Sequence, residues 1–98
     1  MQFNVQNKHV FAGTGGREFD PSLPAIVFLH GAGMDHSVWA LLARAFSHHG
    51  FSVLAPDFPG HGRSAGPALS SIPMLADWTA AVIDAASNVA VRRSFFMG

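Results

Sequence analysis

Two short runs of consecutive apolar residues, separated by one helical pattern, constrain the fold of this chain more than any other feature. Residues 25–29 and 51–55 have the length and composition of strands buried on both faces. Between them, Asp35 or Ser37 is placed to cap the start of a helix and Gly50 its end. Apolar residues recur between these caps at helical spacing: Val38, Leu41, Leu42, Ala45 and Phe46. Strand, helix and strand in this order predict a right-handed βαβ unit with two parallel strands.

Further elements are predicted on both sides of this unit. Phe3 and Val5, then Val10 and Phe11, flank a polar turn, which indicates an antiparallel hairpin. After a glycine- and proline-rich loop, Ser71 is placed to cap a second helix. That helix carries four apolar residues on one side: Leu75, Trp78, Val82 and Ala86.

The last residues complete the predicted fold class. The stretch Ser94-Phe95-Phe96-Met97 has strand composition. We therefore predict an α/β fold with a mostly parallel sheet and flanking helices, in which an amino-terminal β-hairpin is followed by βαβαβ.

Composition excludes several classes of protein. Lys and Arg balance Asp and Glu at six each, so the chain lacks the positive charge of a nucleic-acid or anionic-membrane binder. No stretch approaches the roughly 18 apolar residues of a membrane span, and the start of the chain does not resemble a secretion signal. The absence of cysteine excludes disulfides and zinc-thiolate sites and is compatible with the cytosol. We expect a cytoplasmic protein.

Two motifs follow the two predicted parallel strands. The turn His30-Gly31-Ala32-Gly33 comes directly after the first strand, at the sheet edge where open α/β folds bind ligands. Small residues leave backbone N–H groups there uncovered, and such groups stabilise negative charge that develops on a substrate oxygen. The second strand is followed by the sequence Asp57-Phe58-Pro59-Gly60-His61-Gly62-Arg63-Ser64.

With these two motifs, the chain resembles the amino-terminal part of the α/β-hydrolase fold family over residues 2–98. The family has an H-G-x motif after one strand and a D-x-x-G-x-G-x-S motif after the next. The resemblance implies that the backbone N–H of Ala32 is half of an oxyanion hole, supported by a loop of His30, Gly31 and Gly33. It implies a structural role for the second motif, through Asp57, Gly60, His61, Gly62 and Ser64.

In this family the nucleophile stands on a sharp turn, G-x-nucleophile-x-G, and Gly98 matches the first glycine of that turn. The nucleophile, the acid and the histidine of the triad then lie outside this sequence. The implied activity is hydrolysis of ester or amide bonds of a small-molecule substrate, without cofactor or metal. We expect residues 1–98 to be an incomplete hydrolase domain that is inactive alone. The edge formed by Phe95, Phe96 and Met97 would need the carboxy-terminal remainder to cover it.

Three other interpretations stay open at this point. Dehalogenases and epoxide hydrolases of the same fold use an aspartate nucleophile, and the residue that distinguishes them is absent. A dinucleotide-binding unit also has a glycine-rich turn and an acid such as Asp57 after the next strand, although the third glycine position falls on His36. The third alternative is a non-catalytic fragment.

Several residues imitate catalytic or metal-binding groups. Ser64 lies in a literal G-x-S-x-G sequence, but no strand precedes it and Pro67 follows it, so we do not expect it to be the nucleophile. His48 and His49 are expected to be solvated or to cap the first helix. No pair of histidines has metal-ligand spacing to the carboxylates Asp35, Asp57, Asp77 and Asp84. Of the two tryptophans, Trp39 is the better candidate for a position beside the substrate pocket, and Trp78 is expected in the core.

Overall fold

A four-stranded sheet is the centre of the fold in the computed structural model, which describes the backbone of residues 1–97 and the side chains of residues 1–89. The strands are β1 (Gln2–Val5), β2 (Lys8–Gly13), β3 (Ala25–Val27) and β4 (Ser52–Pro56). They lie in the order β1-β2-β4-β3. The helical elements are a short 3-10 helix (His36–Trp39), α1 (Ala40–Ser47) and α2 (Ile72–Met97).

The predicted hairpin is confirmed, and its turn shows why it forms. Gln6 and Asn7 have positive φ angles of 52° and 61°, the combination that a two-residue type I′ turn requires. The resulting register pairs Phe3 with Val10. Alternation then puts Phe3, Val5 and Val10 on the buried face of the sheet.

The predicted βαβ unit is also confirmed. β3 and β4 are parallel, with Ile26 opposite Val53, whereas β2 joins β4 in antiparallel orientation. All five residues of β4 are buried because it has a strand on each side. β3 is only half-buried, since it has a neighbour on one side alone among the described residues.

Helix α1 presents a different face to the sheet than its apolar stripe predicts. Val38, Leu41 and Leu42 are exposed, Leu41 by 86%. The buried residues of the helix are Ala43 and Ser47. The Ser47 hydroxyl donates a hydrogen bond to the Gly15 carbonyl (2.7 Å), so the side of the helix with small residues lies against the loop after β2.

Helix α2 begins at the predicted cap and buries the predicted face. The Ser71 hydroxyl accepts a hydrogen bond from the Met74 amide at 3.3 Å. Trp78, Val82 and Ala86 follow one another at intervals of four residues and are buried against the hairpin. The buried core cluster consists of Phe3, Val5, Val10, Ala12, Phe19, Leu54, Trp78, Val82 and Ala86.

The strand predicted over Ser94, Phe95, Phe96 and Met97 is wrong. The structure continues α2 through these residues to Met97. Residues 74–97 contain no glycine or proline, so nothing in the sequence ends the helix, and four residues of strand composition do not outweigh its continuation. The sheet edge expected at these positions is therefore not formed. Gly98 lies outside the described residues.

In the described part of the chain, neither α1 nor α2 combines the length and apolar character needed to cross a membrane.

Candidate active site

The end of β3 is held by a buried histidine. His30 is 4% exposed, and both of its ring nitrogens have partners. Nε2 lies 3.0 Å from the amide nitrogen of Phe58, and Nδ1 lies 2.7 Å from the carbonyl oxygen of Gly31. His30 thus connects the residues that follow β3 to those that follow β4.

The four residues after His30 form a tight turn. The Met34 amide donates to the Gly31 carbonyl at 3.1 Å, and Gly33 has a φ of +77°. A positive φ at the third position is what a type II turn requires, and glycine adopts it without steric cost.

The backbone N–H of Ala32 is left free by this turn. It has no hydrogen-bond acceptor among the residues that the structure describes. Ala32 is exposed and lines a cavity of about 750 Å³ between the strand ends and α2. A free amide at the wall of a cavity can donate a hydrogen bond to an oxygen that gains negative charge.

The walls of this cavity are mainly apolar. Leu29, Phe58 and Leu75 are among the side chains that line it. His30 and His61 are among its few polar lining residues. Such a surface accepts an apolar group and leaves orientation to a small number of polar atoms.

Asp57 organises the loop after β4 from a fully buried position. One carboxylate oxygen accepts the His36 amide (2.7 Å) and lies 2.9 Å from the His36 ring nitrogen Nδ1. The other oxygen accepts the Arg63 amide at 2.9 Å. A Cβ atom at Gly62 would lie 2.3 Å from the carboxylate, so the loop can approach Asp57 only with glycine at this position. The carboxylate therefore joins the start of the 3-10 helix to the loop after β4.

Ser64 is placed as a structural residue of the loop. Its hydroxyl oxygen accepts the Phe11 amide of β2 at 3.1 Å, and its own amide donates to the His61 carbonyl at 3.0 Å. It lines a separate cavity of about 140 Å³ that Ala32 does not line. No helix begins until Ile72, so Ser64 does not stand on a strand-to-helix turn.

The remaining members of the second motif hold the same loop. The His61 ring nitrogen Nδ1 lies 3.1 Å from the Pro59 carbonyl. The Gly60 amide donates to the Ala65 carbonyl at 3.1 Å. These contacts are within the loop, in keeping with the structural role that the resemblance implies.

The contact of His36 with Asp57 is not predicted by the sequence motifs. Asp35, His36 and Asp57 each offer one ligand atom within 4.8 Å of the others. The Asp35 oxygen, however, accepts the hydroxyl and the amide of Ser37, and these bonds lower the pKa of Asp35 below its ordinary value. The oxygens of Asp57 accept backbone amides in the same way, so the carboxylates serve as helix and loop caps. The available signal was that His36 and Asp57 both follow neighbouring parallel strands.

The other histidines and tryptophans mostly occupy the places predicted for them. The ring nitrogens Nδ1 of His48 and His49 lie 2.8 and 2.5 Å from carbonyl oxygens of α1, so both residues cap the end of the helix. Trp78 is in the core. Trp39 stacks on Phe28 with ring centroids 5.0 Å apart and does not line the 750 Å³ cavity.

The sequence of this chain matches that of a known protein family. The sequence model of the Alpha/beta hydrolase family matches residues 26–95, which include both motifs. A comparison with curated proteins found no match.

Solved structures with the same fold include several hydrolases. A membrane phospholipase A described as a bacterial virulence factor is 29% identical, with a TM-score of 0.75, over 87% of this chain and 27% of its own. The enol-lactonase of Burkholderia xenovorans LB400 is 28% identical, with a TM-score of 0.72, over 87% of this chain and 32% of its own. A loop variant of a haloalkane dehalogenase from Bradyrhizobium elkanii is 26% identical, with a TM-score of 0.70, over 86% of this chain and 27% of its own. This chain thus spans about a quarter to a third of the length of these proteins.

Proposed function

Because this chain belongs to the Alpha/beta hydrolase family, we propose that it is the amino-terminal part of a hydrolase domain that cleaves ester or amide bonds by nucleophilic acyl transfer. The observation that carries the proposal is the free N–H of Ala32, which lies in the turn after β3 and at the wall of the 750 Å³ cavity.

The proposed reaction uses this amide to stabilise charge. A nucleophile from outside these residues attacks the carbonyl carbon of the substrate, and the electron pair of the C=O bond moves to the oxygen. The Ala32 N–H donates a hydrogen bond to that oxyanion, together with the amide that follows the nucleophile in this family. The triad histidine takes the proton of the nucleophile and gives it to the leaving alcohol or amine as the tetrahedral intermediate collapses, and water then hydrolyses the acyl-enzyme.

The substrate of such an enzyme is proposed to be a small molecule with an apolar portion, since the cavity beside Ala32 is lined mainly by apolar side chains. The proposed chemistry needs no cofactor or metal, because a triad and backbone dipoles suffice for it. Neither a nucleic acid nor a membrane is proposed as a partner, and the cytoplasm remains the predicted location.

Similarity to a haloalkane dehalogenase favours a second candidate function. In that case an aspartate nucleophile forms an ester with the carbon that loses the halide, and water hydrolyses the ester. The Ala32 amide would stabilise the oxyanion of the hydrolysis step. The dinucleotide alternative is not supported, because Asp57 is fully buried and its oxygens accept protein amides.

The proposal is tested by labelling the full-length protein with a fluorophosphonate and assaying it with p-nitrophenyl butyrate and with a bromoalkane. Ester turnover that the label abolishes supports acyl transfer by a serine. Bromide release without labelling supports the second candidate. A protein that shows neither ester turnover nor bromide release contradicts both candidates. The Ser64→Ala variant is the matched control: we expect it to keep its labelling and its turnover per folded molecule. Loss of both in a folded Ser64→Ala variant would make Ser64 the nucleophile. The 98-residue chain alone is expected to show no turnover.

A further inference from the structure

We infer that His30 is a positioning residue that sets the direction of the Ala32 N–H by donating a hydrogen bond to the Gly31 carbonyl. This inference rests on the proposed function, since it explains how the oxyanion donor is aimed. His30 itself does not contact the substrate oxygen.

The partners of His30 define which of its nitrogens carries the proton. The Gly31 carbonyl can only accept, so Nδ1, at 2.7 Å, must be the donor. The Phe58 amide can only donate, so Nε2, at 3.0 Å, must be the acceptor. The neutral tautomer with hydrogen on Nδ1 satisfies both contacts, whereas an added proton on Nε2 would face the N–H of Phe58.

A planar peptide unit transmits this contact to Ala32. The carbonyl of Gly31 and the N–H of Ala32 belong to one peptide group, in which they point in opposite directions. The carbonyl oxygen accepts from two donors, His30 Nδ1 and the Met34 amide (3.1 Å). With its oxygen held from two directions, the peptide unit cannot rotate without breaking a bond. Hydrogen bonds to the carbonyl also polarise the unit and make its N–H a stronger donor.

Packing leaves the His30 ring little freedom. Its centroid lies 4.6 Å from that of Phe58 and 5.2 Å from that of His61. Because both nitrogens are engaged, His30 has no free nitrogen for general acid or base catalysis, although the ring lines the cavity. Its effect on the reaction must pass through the Gly31–Ala32 peptide.

Two substitutions separate the two hydrogen bonds of the ring. In His30→Asn, the amide nitrogen takes the place of Nδ1 and can donate to Gly31, but nothing accepts from Phe58. In His30→Gln, the longer side chain can place its oxygen at the position of Nε2 and accept from Phe58, but the Gly31 carbonyl keeps only the Met34 amide as a donor. Each variant keeps one of the two hydrogen bonds of the ring. His30→Asn leaves the Phe58 amide without an acceptor and is expected to be the less stable variant, so turnover is compared per folded molecule.

We expect the His30→Gln variant of the full-length protein to lose about 10- to 100-fold in kcat with KM changed less than about 3-fold, as for a misdirected oxyanion donor. The His30→Asn variant should stay within about 5-fold of the unmodified protein, because it keeps the bond that orients the amide. Equal kcat values for the two folded variants would overturn the inference.

Nitrogen NMR of the unmodified full-length protein provides a readout that does not depend on activity. The spectrum should show hydrogen on His30 Nδ1 and none on Nε2. The Ala32 amide signal should move further in His30→Gln than in His30→Asn, because both variants lose the aromatic ring but only His30→Gln loses the side-chain donor to Gly31. Hydrogen on Nε2, or equal shifts in both variants, would overturn the inference. If no hydrolytic activity is found, the proposed function fails while these spectra still decide the role of His30.

Discussion

Removing the carboxylate of Asp57 is expected to lower the free energy of unfolding by about 3–4 kcal/mol. The carboxylate is fully buried and accepts the amides of His36 and Arg63 at 2.7 and 2.9 Å. In Asp57→Ala both donors lose their acceptor, and each unsatisfied donor costs about 1–3 kcal/mol, or about 2–6 kcal/mol together. Part of this loss is offset because the charged group no longer has to be removed from water.

Urea unfolding of the full-length protein measures this loss. An unchanged m-value, the slope of the free energy of unfolding against urea concentration, shows that the variant otherwise folds normally. Asp57→Asn keeps one acceptor oxygen and should lose about half as much. Asp77→Ala, at an exposed position of α2, is the control and should stay within about 0.5 kcal/mol. A loss below about 1 kcal/mol in Asp57→Ala would show that the carboxylate does not hold the two loops together.

Three smaller perturbations test other parts of the account. Bonds from Ser37 lower the pKa of Asp35, so its contribution to stability is present above its ordinary pKa of 3.8 and is lost as the pH falls. The difference in Tm between Asp35→Ala and the unmodified protein should therefore shrink between about pH 6 and pH 3, and a constant difference would contradict this. Gly33→Ala should lower the free energy of unfolding by about 1–2 kcal/mol because φ is +77°, and no clash adds to this because the space around the Cβ position is open. An unchanged free energy of unfolding would mean that Gly33 does not have a positive φ. Ser47→Ala should lower the free energy of unfolding by about 1 kcal/mol because the Gly15 carbonyl loses its donor. An unchanged free energy of unfolding would show that this hydrogen bond does not stabilise the fold.

Local patterns in the sequence were sufficient for the elements whose partners are also local. The hairpin follows from alternation around Gln6 and Asn7, and the buried face of α2 follows from the spacing of Trp78 and Val82. The orientation of α1 could not be predicted in this way. It depends on the contact of Ser47 with Gly15, which is 32 residues away in the sequence.

Composition misled the prediction at the end of the chain. Ser94 to Met97 favour a strand by residue type, but the continuation of α2 depends on the absence of a terminating residue over the whole preceding segment. At this position, the length of the segment without a helix-terminating residue predicts the structure better than the composition of its last four residues does.

The motifs located the candidate site but not its internal bonds. Residue types alone placed Ala32 and Asp57 at the ends of neighbouring strands. The contact of Asp57 with His36 depends on the register of β3 and β4, which no short motif specifies. The free amide of Ala32 likewise becomes visible only in the structure: among the described residues 31–34, only the Met34 amide donates to a protein acceptor, and of the other three residues only Ala32 lines the 750 Å³ cavity.

The role of the Ala32 N–H in catalysis is tested by replacing it with an oxygen, through incorporation of the α-hydroxy analogue of alanine into the full-length protein. This change removes the proposed donor and keeps the side chain. We predict a loss of about 10²- to 10³-fold in kcat, with KM nearly unchanged, as when an oxyanion donor is removed. A folded protein that keeps its kcat within about 2-fold would contradict the claim that this amide stabilises the transition state.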